Sequence, residues 1–305
     1  MPWESLLPIF LYVLAGISLR AMGLVERSLA EPMFRFVFLA TLPALVFVSI
    51  VEAPLDRQSA LLPAVGFLMN SISAFGAWAY ARRHRLPEPQ AGALVLCAGI
   101  TNGMFMFPFV LAILGQPGLT IAILVDVGNA VFVATVGYAI SVHYAHAGSA
   151  IPAGSLLRML RSPLFIALLI ALAVNLGSFE TPAPLVAALQ PLGRATMPVT
   201  LVALGISLTP RAFSGSLPSL TVMLRMLLGL GSGLLFAGLL GLEGLTAVIV
   251  IAIGAAPVGF MSVTIVSVAK CDTGQAASAV SISVLIGMLT TTAILFFGPG
   301  LLGVG

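Results

Sequence analysis

The 305 residues predict an all-α polytopic membrane protein of ten transmembrane helices, arranged as two inverted five-helix repeats. Three observations carry this. Sixty per cent of the chain is hydrophobic and only 8% is charged, with a mean hydropathy of +1.15. Most of it cannot face water, and apolar runs as long as a bilayer is thick recur throughout. The basic residues favour alternate connections, and two apolar runs are interrupted in their middles.

Taken in order, with roughly 17–25 mainly apolar residues required per helix, the first span is 4–20. Its opening, "MPWESLLPIFLYVLAGISLR", lacks a basic stretch and carries Glu4 ahead of the apolar run, so it reads as a span rather than a cleaved signal. Span 2 is 32–52 and span 3 is 61–81, with Asn70 at its centre. Span 4, 90–113, is interrupted over Thr101–Pro108, and a Gln-Pro-Gly turn separates it from span 5, 118–144.

The connection 145–162, "AHAGSAIPAGSLLRMLRS", is small, basic and the longest in the chain, and it separates residues 1–144 from 163–305. Each part holds five spans, and an odd number forces the second part to enter the membrane from the opposite side. Span 6 is 163–179, with Asn175 in its outer half, span 7 is 193–209 and span 8 is 218–241. Span 9, 245–268, is interrupted over 253–264, "IGAAPVGFMSVT", where Gly254 and Gly259 flank Pro257; span 10 is 275–298.

Arg20, Arg27, Arg35, Arg82, Arg83, Arg85, Arg158, Arg161, Arg211 and Lys270 lie in or beside the odd-numbered connections, against Arg57 and Arg194 on the other side. This places the first group in the cytoplasm and both termini outside, in a multi-pass protein of the bacterial inner (plasma) membrane. The sequence pI near 9.2 then reports insertion and attraction to anionic lipid, not nucleic acid. His84, His143 and His146 fall near the cytoplasmic interface. Cys97 and Cys271 lie on the reducing side without partners at metal-ligand spacing, so neither a disulfide nor a metal site is expected.

The paired breaks suggest a cavity. Proline removes a backbone donor and glycine lets the chain leave helical angles, and in lipid the freed groups must be satisfied by protein, water or ligand. The alternative is a pair of plain kinks. No phosphate loop or HExxH pair is present, and "FSGSLP" at 213–218 is too short to be a hydrolase elbow, so no enzyme and no cofactor are expected.

Two charges lie at membrane depth. Asp126, with Asn129 one turn on, is the acid well inside a span; a carboxylate there costs at least ~2.5 kcal/mol unless solvated or paired. It is a candidate for coupling or gating by H+ or Na+, or a structural hydrogen-bonding group. Arg225, seven residues into span 8, either snorkels to the interface or partners a substrate or Asp126.

Four stretches resemble the auxin efflux carrier family, which contains plant PIN-type carriers and bacterial malonate or malate permease-like proteins: "TNGMFMFP" at 101–108, "GLTIAILVDVGNAVF" at 118–132, "PLGRATMPVTLVALGISL" at 191–208 and "AAPVGFMSVTIVSVAKCDTGQAASAVSISVL" at 255–285. The resemblance implies that broken helices 4 and 9 cross at a mid-membrane substrate site. It further implies a scaffold of spans 1, 2, 6 and 7 that forms a homodimer, and an elevator unit of spans 3–5 and 8–10 that carries small organic anions.

It maps Pro108 and Pro257 to the crossing prolines. In such a crossing the half-helix N-termini present partial positive charge to an anion. Thr101, Asn102 and Gly103 on one side, and Gly259, Ser262 and Thr264 on the other, are the expected binding residues; the alternative for the hydroxyls and amide is helix–helix hydrogen bonding. The chain departs from the family where Thr101 holds the usual asparagine position and Met106 a usual glycine, so substrate identity does not transfer. Two other functions fit the same span pattern: a carrier of a different solute on the bile-acid-transporter-like fold, and a membrane sensor without transport.

Overall fold

The computed structural model describes residues 2–145, 161–208 and 215–301. The expected linker 145–162 lies almost wholly outside them, as do Arg158, Arg211 and His146. Apolar length dictates helix throughout, because a backbone in lipid has to satisfy its own hydrogen bonds. The elements are α1 (Pro2–Ala21), α2 (Ala30–Phe36), α3 (Leu42–Val51), α4 (Arg57–Arg83), α5 (Glu88–Gly99), α6 (Gly103–Phe132) and α7 (Tyr138–Tyr144), followed by α8 (Pro163–Leu176), α9 (Ala183–Arg194), α10 (Thr196–Ser207), α11 (Ser216–Leu239), α12 (Gly244–Gly254), α13 (Met261–Val268) and α14 (Thr273–Leu301). Widened π turns, Val37–Thr41 and Val133–Gly137, join α2 to α3 and α6 to α7.

Among the described residues six helical stretches are long and apolar enough to cross a membrane: Arg27–Val51, Gln58–Arg83, Gly103–Tyr144, Ala183–Ser207, Ser216–Leu239 and Thr273–Gly300. Leu7–Ala21, Pro163–Leu176 and Gly244–Gly254 are shorter apolar helices. Local chemistry sets several ends. Ser162 caps α8 by accepting from the Phe165 amide at 3.3 Å, with Pro163 in the first turn. The expected turn at Gln116–Gly118 is instead a reversal at Gly115, whose φ of 68° and ψ of −165° a side chain would resist. Span 7 starts ten residues earlier than expected, at Ala183 rather than 193, because the amphipathic stretch after Pro182 is already helical.

The chain forms two units of dense internal contact. The first gathers α1–α3, residues Phe107–Thr120 of α6, and α8–α10. In it α1 and α10 approach at Gly16 and Gly205, where a Cβ on either would stand 3.0 Å from the other's Cα. Arg20 closes the end of α10 by donating to the carbonyls of Ile206 and Leu208. Asn175 donates to the carbonyls of Ile50, Val51 and Ala53 at 2.8, 3.0 and 2.8 Å, and so satisfies the C-terminus of α3.

The second unit gathers α4, α5, both ends of α6, α7 and α11–α14. Gly66 of α4 lies against the Val125 carbonyl of α6, and Gly128 of α6 against the Pro63 carbonyl of α4. A similar backbone contact joins Gly229 of α11 to Gly254 of α12. Close approach of this kind replaces the hydrophobic drive that lipid does not supply. It also brings the polar residues of α4, α6 and α11 toward one place.

Candidate substrate and coupling site

Both interruptions are real gaps in helix, and they lie against each other. Between α5 and α6 the chain is non-helical at Ile100, Thr101 and Asn102; between α12 and α13 it is non-helical from Ala255 to Phe260. The two stretches pair antiparallel at Thr101 and Val258. The Asn102 amide donates to the Pro257 carbonyl at 3.1 Å, and the Gly259 amide donates to the Ile100 carbonyl at 2.8 Å. Ser283 of α14 accepts from the Val258 amide at 3.1 Å. Groups that the gaps remove from helix are thus satisfied within the protein.

Close packing explains the small residues here. A Cβ on Gly259 would stand 2.7 Å from the Thr101 carbonyl oxygen, and one on Gly287 would strike the Pro257 ring. Asn102 caps α6: its side-chain oxygen accepts from the Phe105 amide at 3.2 Å, while its amide nitrogen donates to the Val258 carbonyl at 3.4 Å. Ser262 is fully buried, donates to the Gly259 carbonyl at 2.7 Å and accepts from Cys97 at 3.6 Å.

Pro108 and Thr264 are placed differently from expectation. Pro108 lies inside α6, past the gap, because the break is made by the Gly99–Asn102 stretch and the Asn102 cap. Thr264 is exposed on α13 and, among the described residues, takes no part in the hydrogen bonds of the crossing.

A polar chain runs through the crossing. Thr101 is its hub: the hydroxyl donates to Asn70 Oδ1 at 2.6 Å and accepts from Arg225 Nη2 at 2.6 Å. Asn70 Nδ2 donates to Asn129 Oδ1 at 2.9 Å. Asn129 grips the Thr101 backbone from both sides, accepting from its amide at 3.1 Å and donating to its carbonyl at 3.2 Å. Asn129 Nδ2 also donates to Asp126 Oδ1 at 2.9 Å. All donors along this path point from the guanidinium toward the carboxylate.

Arg225 does not snorkel. Its side chain is 0% exposed and reaches Ser73 Oγ at 3.3 Å and the carbonyls of Ala98, Ile253 and Gly254, each at 3.4 Å. Those carbonyls belong to the last turns of α5 and α12, the negative ends of the two helices that stop at the crossing. One buried cation therefore serves both ends, while its Nε has no partner among the described residues.

Asp126 is brought back to the start of its own helix by the reversal at Gly115. Its half-buried carboxylate packs on Gly103, where any Cβ would collide with it. A negative charge thus rests against the positive N-terminal end of α6.

The structure brings together Thr101, Asn102, Gly103, Asp126, Asn129, Arg225, Pro257, Gly259 and Ser262. It adds Asn70, Ser73 and Ser283. Asn70 carried a signal, an amide at mid-span; the two serines carried none that separates them from ordinary helix hydroxyls. Among the described residues no group of three or more His, Cys, Asp or Glu side chains is placed to hold a metal ion.

Known proteins with a similar sequence are membrane transporters. A family profile described as "Membrane transport protein" matches residues 2–151 and 149–295. An uncharacterised transporter of Methanothermobacter thermautotrophicus is 25% identical over 295 residues, covering 94% of this chain and 95% of that protein. One of Methanocaldococcus jannaschii is 22% identical over 302 residues, covering 95% and 96%. With the motifs at 101–108, 118–132, 191–208 and 255–285 spread along nearly its whole length, the chain belongs to the membrane transport protein family of auxin efflux carriers.

Proposed function

We propose that this protein is a secondary transporter of small organic anions, mono- or dicarboxylates, working by elevator-type alternating access. The observation that carries the proposal is the crossing of two helix gaps around a fully buried arginine whose contacts are hydroxyl and carbonyl oxygens. A buried charge compensated by dipoles alone leaves positive potential for an anion. The N-termini of α6 and α13 face the same gaps and add to it.

Asp126 supplies a means of coupling. As an ionised carboxylate on the N-terminus of α6 it occupies the position that favours an anion and repels a substrate carboxylate. A proton or Na+ on Asp126 removes that repulsion, so cation and anion enter together. The reading includes ten crossings in two inverted repeats, a homodimeric scaffold of spans 1, 2, 6 and 7, a moving unit of spans 3–5 and 8–10, and a plasma-membrane location with both termini outside. The division of helices between the two contact units supports the scaffold and moving sets.

The test is uptake of labelled malonate, malate and indole-acetate into proteoliposomes under imposed proton or sodium gradients. Gradient-dependent accumulation of at least one anion, lost in Arg225→Gln, is the expected result. Well-folded protein that moves none of a broad anion panel under either gradient overturns the proposal, and binding without flux would favour a sensor.

A further inference from the structure

We infer that a groove on the second unit, between α4 and the α7 rod, is a binding site for one anionic phospholipid. The groove has a volume of about 360 Å³ and is lined by Phe75 and Trp78 of α4 and by Val136, Ile140, His143 and Tyr144 of the π turn and α7, among others. Its base is apolar. Ser71 also lines it, but that hydroxyl already donates to the Phe67 carbonyl at 2.8 Å, which leaves little for a polar solute to bond. The π turn at Val133–Gly137 widens the helix where Val136 meets the groove.

Position and charge select the occupant. One wall of the groove is α4, which is long and apolar enough to span the membrane and ends at Arg83. From Ser71 to Trp78 the helix rises ~10 Å at 1.5 Å per residue, about a third of the hydrocarbon thickness, so an acyl chain is the solvent there. At the end of α4 the character changes. The Arg82 guanidinium lies 5.3 Å from the centre of the Trp78 ring, and Arg82, Arg83, His84 and Arg85 are all exposed. His143 and Tyr144 stand edge to face, 4.9 Å between ring centres, in the groove wall.

An aromatic wall with the Arg82 guanidinium against it, and further exposed cations at the same end of α4, matches a lipid whose tail fills the groove and whose phosphate meets Arg82 and its neighbours. A zwitterionic lipid offers the same tail but cancels the headgroup attraction. The site is separate from the crossing and does not depend on which solute the protein carries.

The chain's two tryptophans, Trp3 and Trp78, provide the assay. In a Trp3→Phe protein, Trp78 fluorescence is followed in vesicles containing brominated phosphatidylglycerol or brominated phosphatidylcholine. Phosphatidylglycerol should quench at a several-fold lower mole fraction. Arg82→Gln with Arg83→Gln, both at exposed positions, should bring the two lipids to within about twofold of each other. Ala139 of α7 also lines the groove, and Ala139→Phe, which fills it, should reduce quenching by both lipids.

Free glycerol phosphate should not compete, which separates a lipid site from a simple phosphate site. Equal quenching by the two lipids, or a preference that survives the double arginine change, overturns the proposal. Trp78 protected from both lipids would also overturn it and assign the groove to a second copy of the chain.

Discussion

Gly103→Ala places a methyl group where the Asp126 carboxylate now lies. The new Cβ would stand 2.5 Å from Asp126 Oδ2 and closer still to Oδ1 and Cγ, against an ordinary contact of 3.4 Å, so the carboxylate has to retreat by at least roughly 0.9 Å. A retreat of that size takes Oδ1 out of reach of Asn129, now 2.9 Å away. Overpacking of this kind costs about 1–3 kcal/mol, and a lost hydrogen bond to a charged group about 1.5–3 kcal/mol. Against these stands up to about 1 kcal/mol from replacing glycine by alanine in a helix. A net destabilisation of about 1.5–6 kcal/mol is therefore expected.

The assay is thermal or denaturant unfolding in detergent, run as a double-mutant cycle with Asp126→Ala. Removing the carboxylate removes the obstacle, so Gly103→Ala should be neutral or slightly stabilising in that background. The coupling energy should reach about 2 kcal/mol or more. Equal destabilisation with and without Asp126 would refute the reasoning and move the strain elsewhere.

Three further changes and one labelling experiment probe the rest. Arg225→Met keeps bulk but leaves the Thr101 hydroxyl and the Ala98, Ile253 and Gly254 carbonyls short of a donor, so it should destabilise by about 2–5 kcal/mol in the same unfolding assay; a loss under 0.5 kcal/mol would dismiss the capping role. Asn70→Ala removes the bridge between Thr101 and Asn129 and should cost about 1–3 kcal/mol, and the cost should largely vanish when Asn129 is already alanine. Asp126→Asn should keep counterflow exchange of the transported anion yet lose its dependence on the proton or sodium gradient; unaltered pH and cation dependence would reduce Asp126 to a structural acid. For orientation, Arg85→Cys should react with an impermeant maleimide from the cytoplasmic side and Glu180→Cys from outside, and the reverse pattern would invert the topology.

The parts legible in the sequence are those set by local chemistry and by bilayer thickness. Span 8, expected at 218–241, is α11 at Ser216–Leu239, and span 3 at 61–81 lies within α4, because hydrocarbon fixes helix length. The two gaps were legible as well, since glycine, proline and asparagine act within a turn of where they stand. Which of them makes a gap was not. Pro257 lies in one, but Pro108 does not, because the Asn102 cap already starts the next helix.

Partnerships across the chain were illegible for a different reason. Nothing near Arg225 in sequence announces that its donors will meet Ala98 and Gly254. Snorkelling and burial imply the same isolated arginine in an apolar run, and only the helix that packs beside it decides between them. Asn70 and Asn175 were equally ambiguous amides. One joins the polar path and the other closes a helix end in a different unit.

The antiparallel pairing of Ile100–Asn102 with Pro257–Gly259 makes the four half-helices mechanically one piece. A force applied at the tip of α6 is carried through the Asn102–Pro257 and Gly259–Ile100 bonds into α12 and α13, so neither gap can widen alone without leaving buried amides bare. The amides of Asn102 and Gly259, far apart in the chain, should exchange with deuterium in a single correlated opening, and a ligand that grips either strand should slow both together.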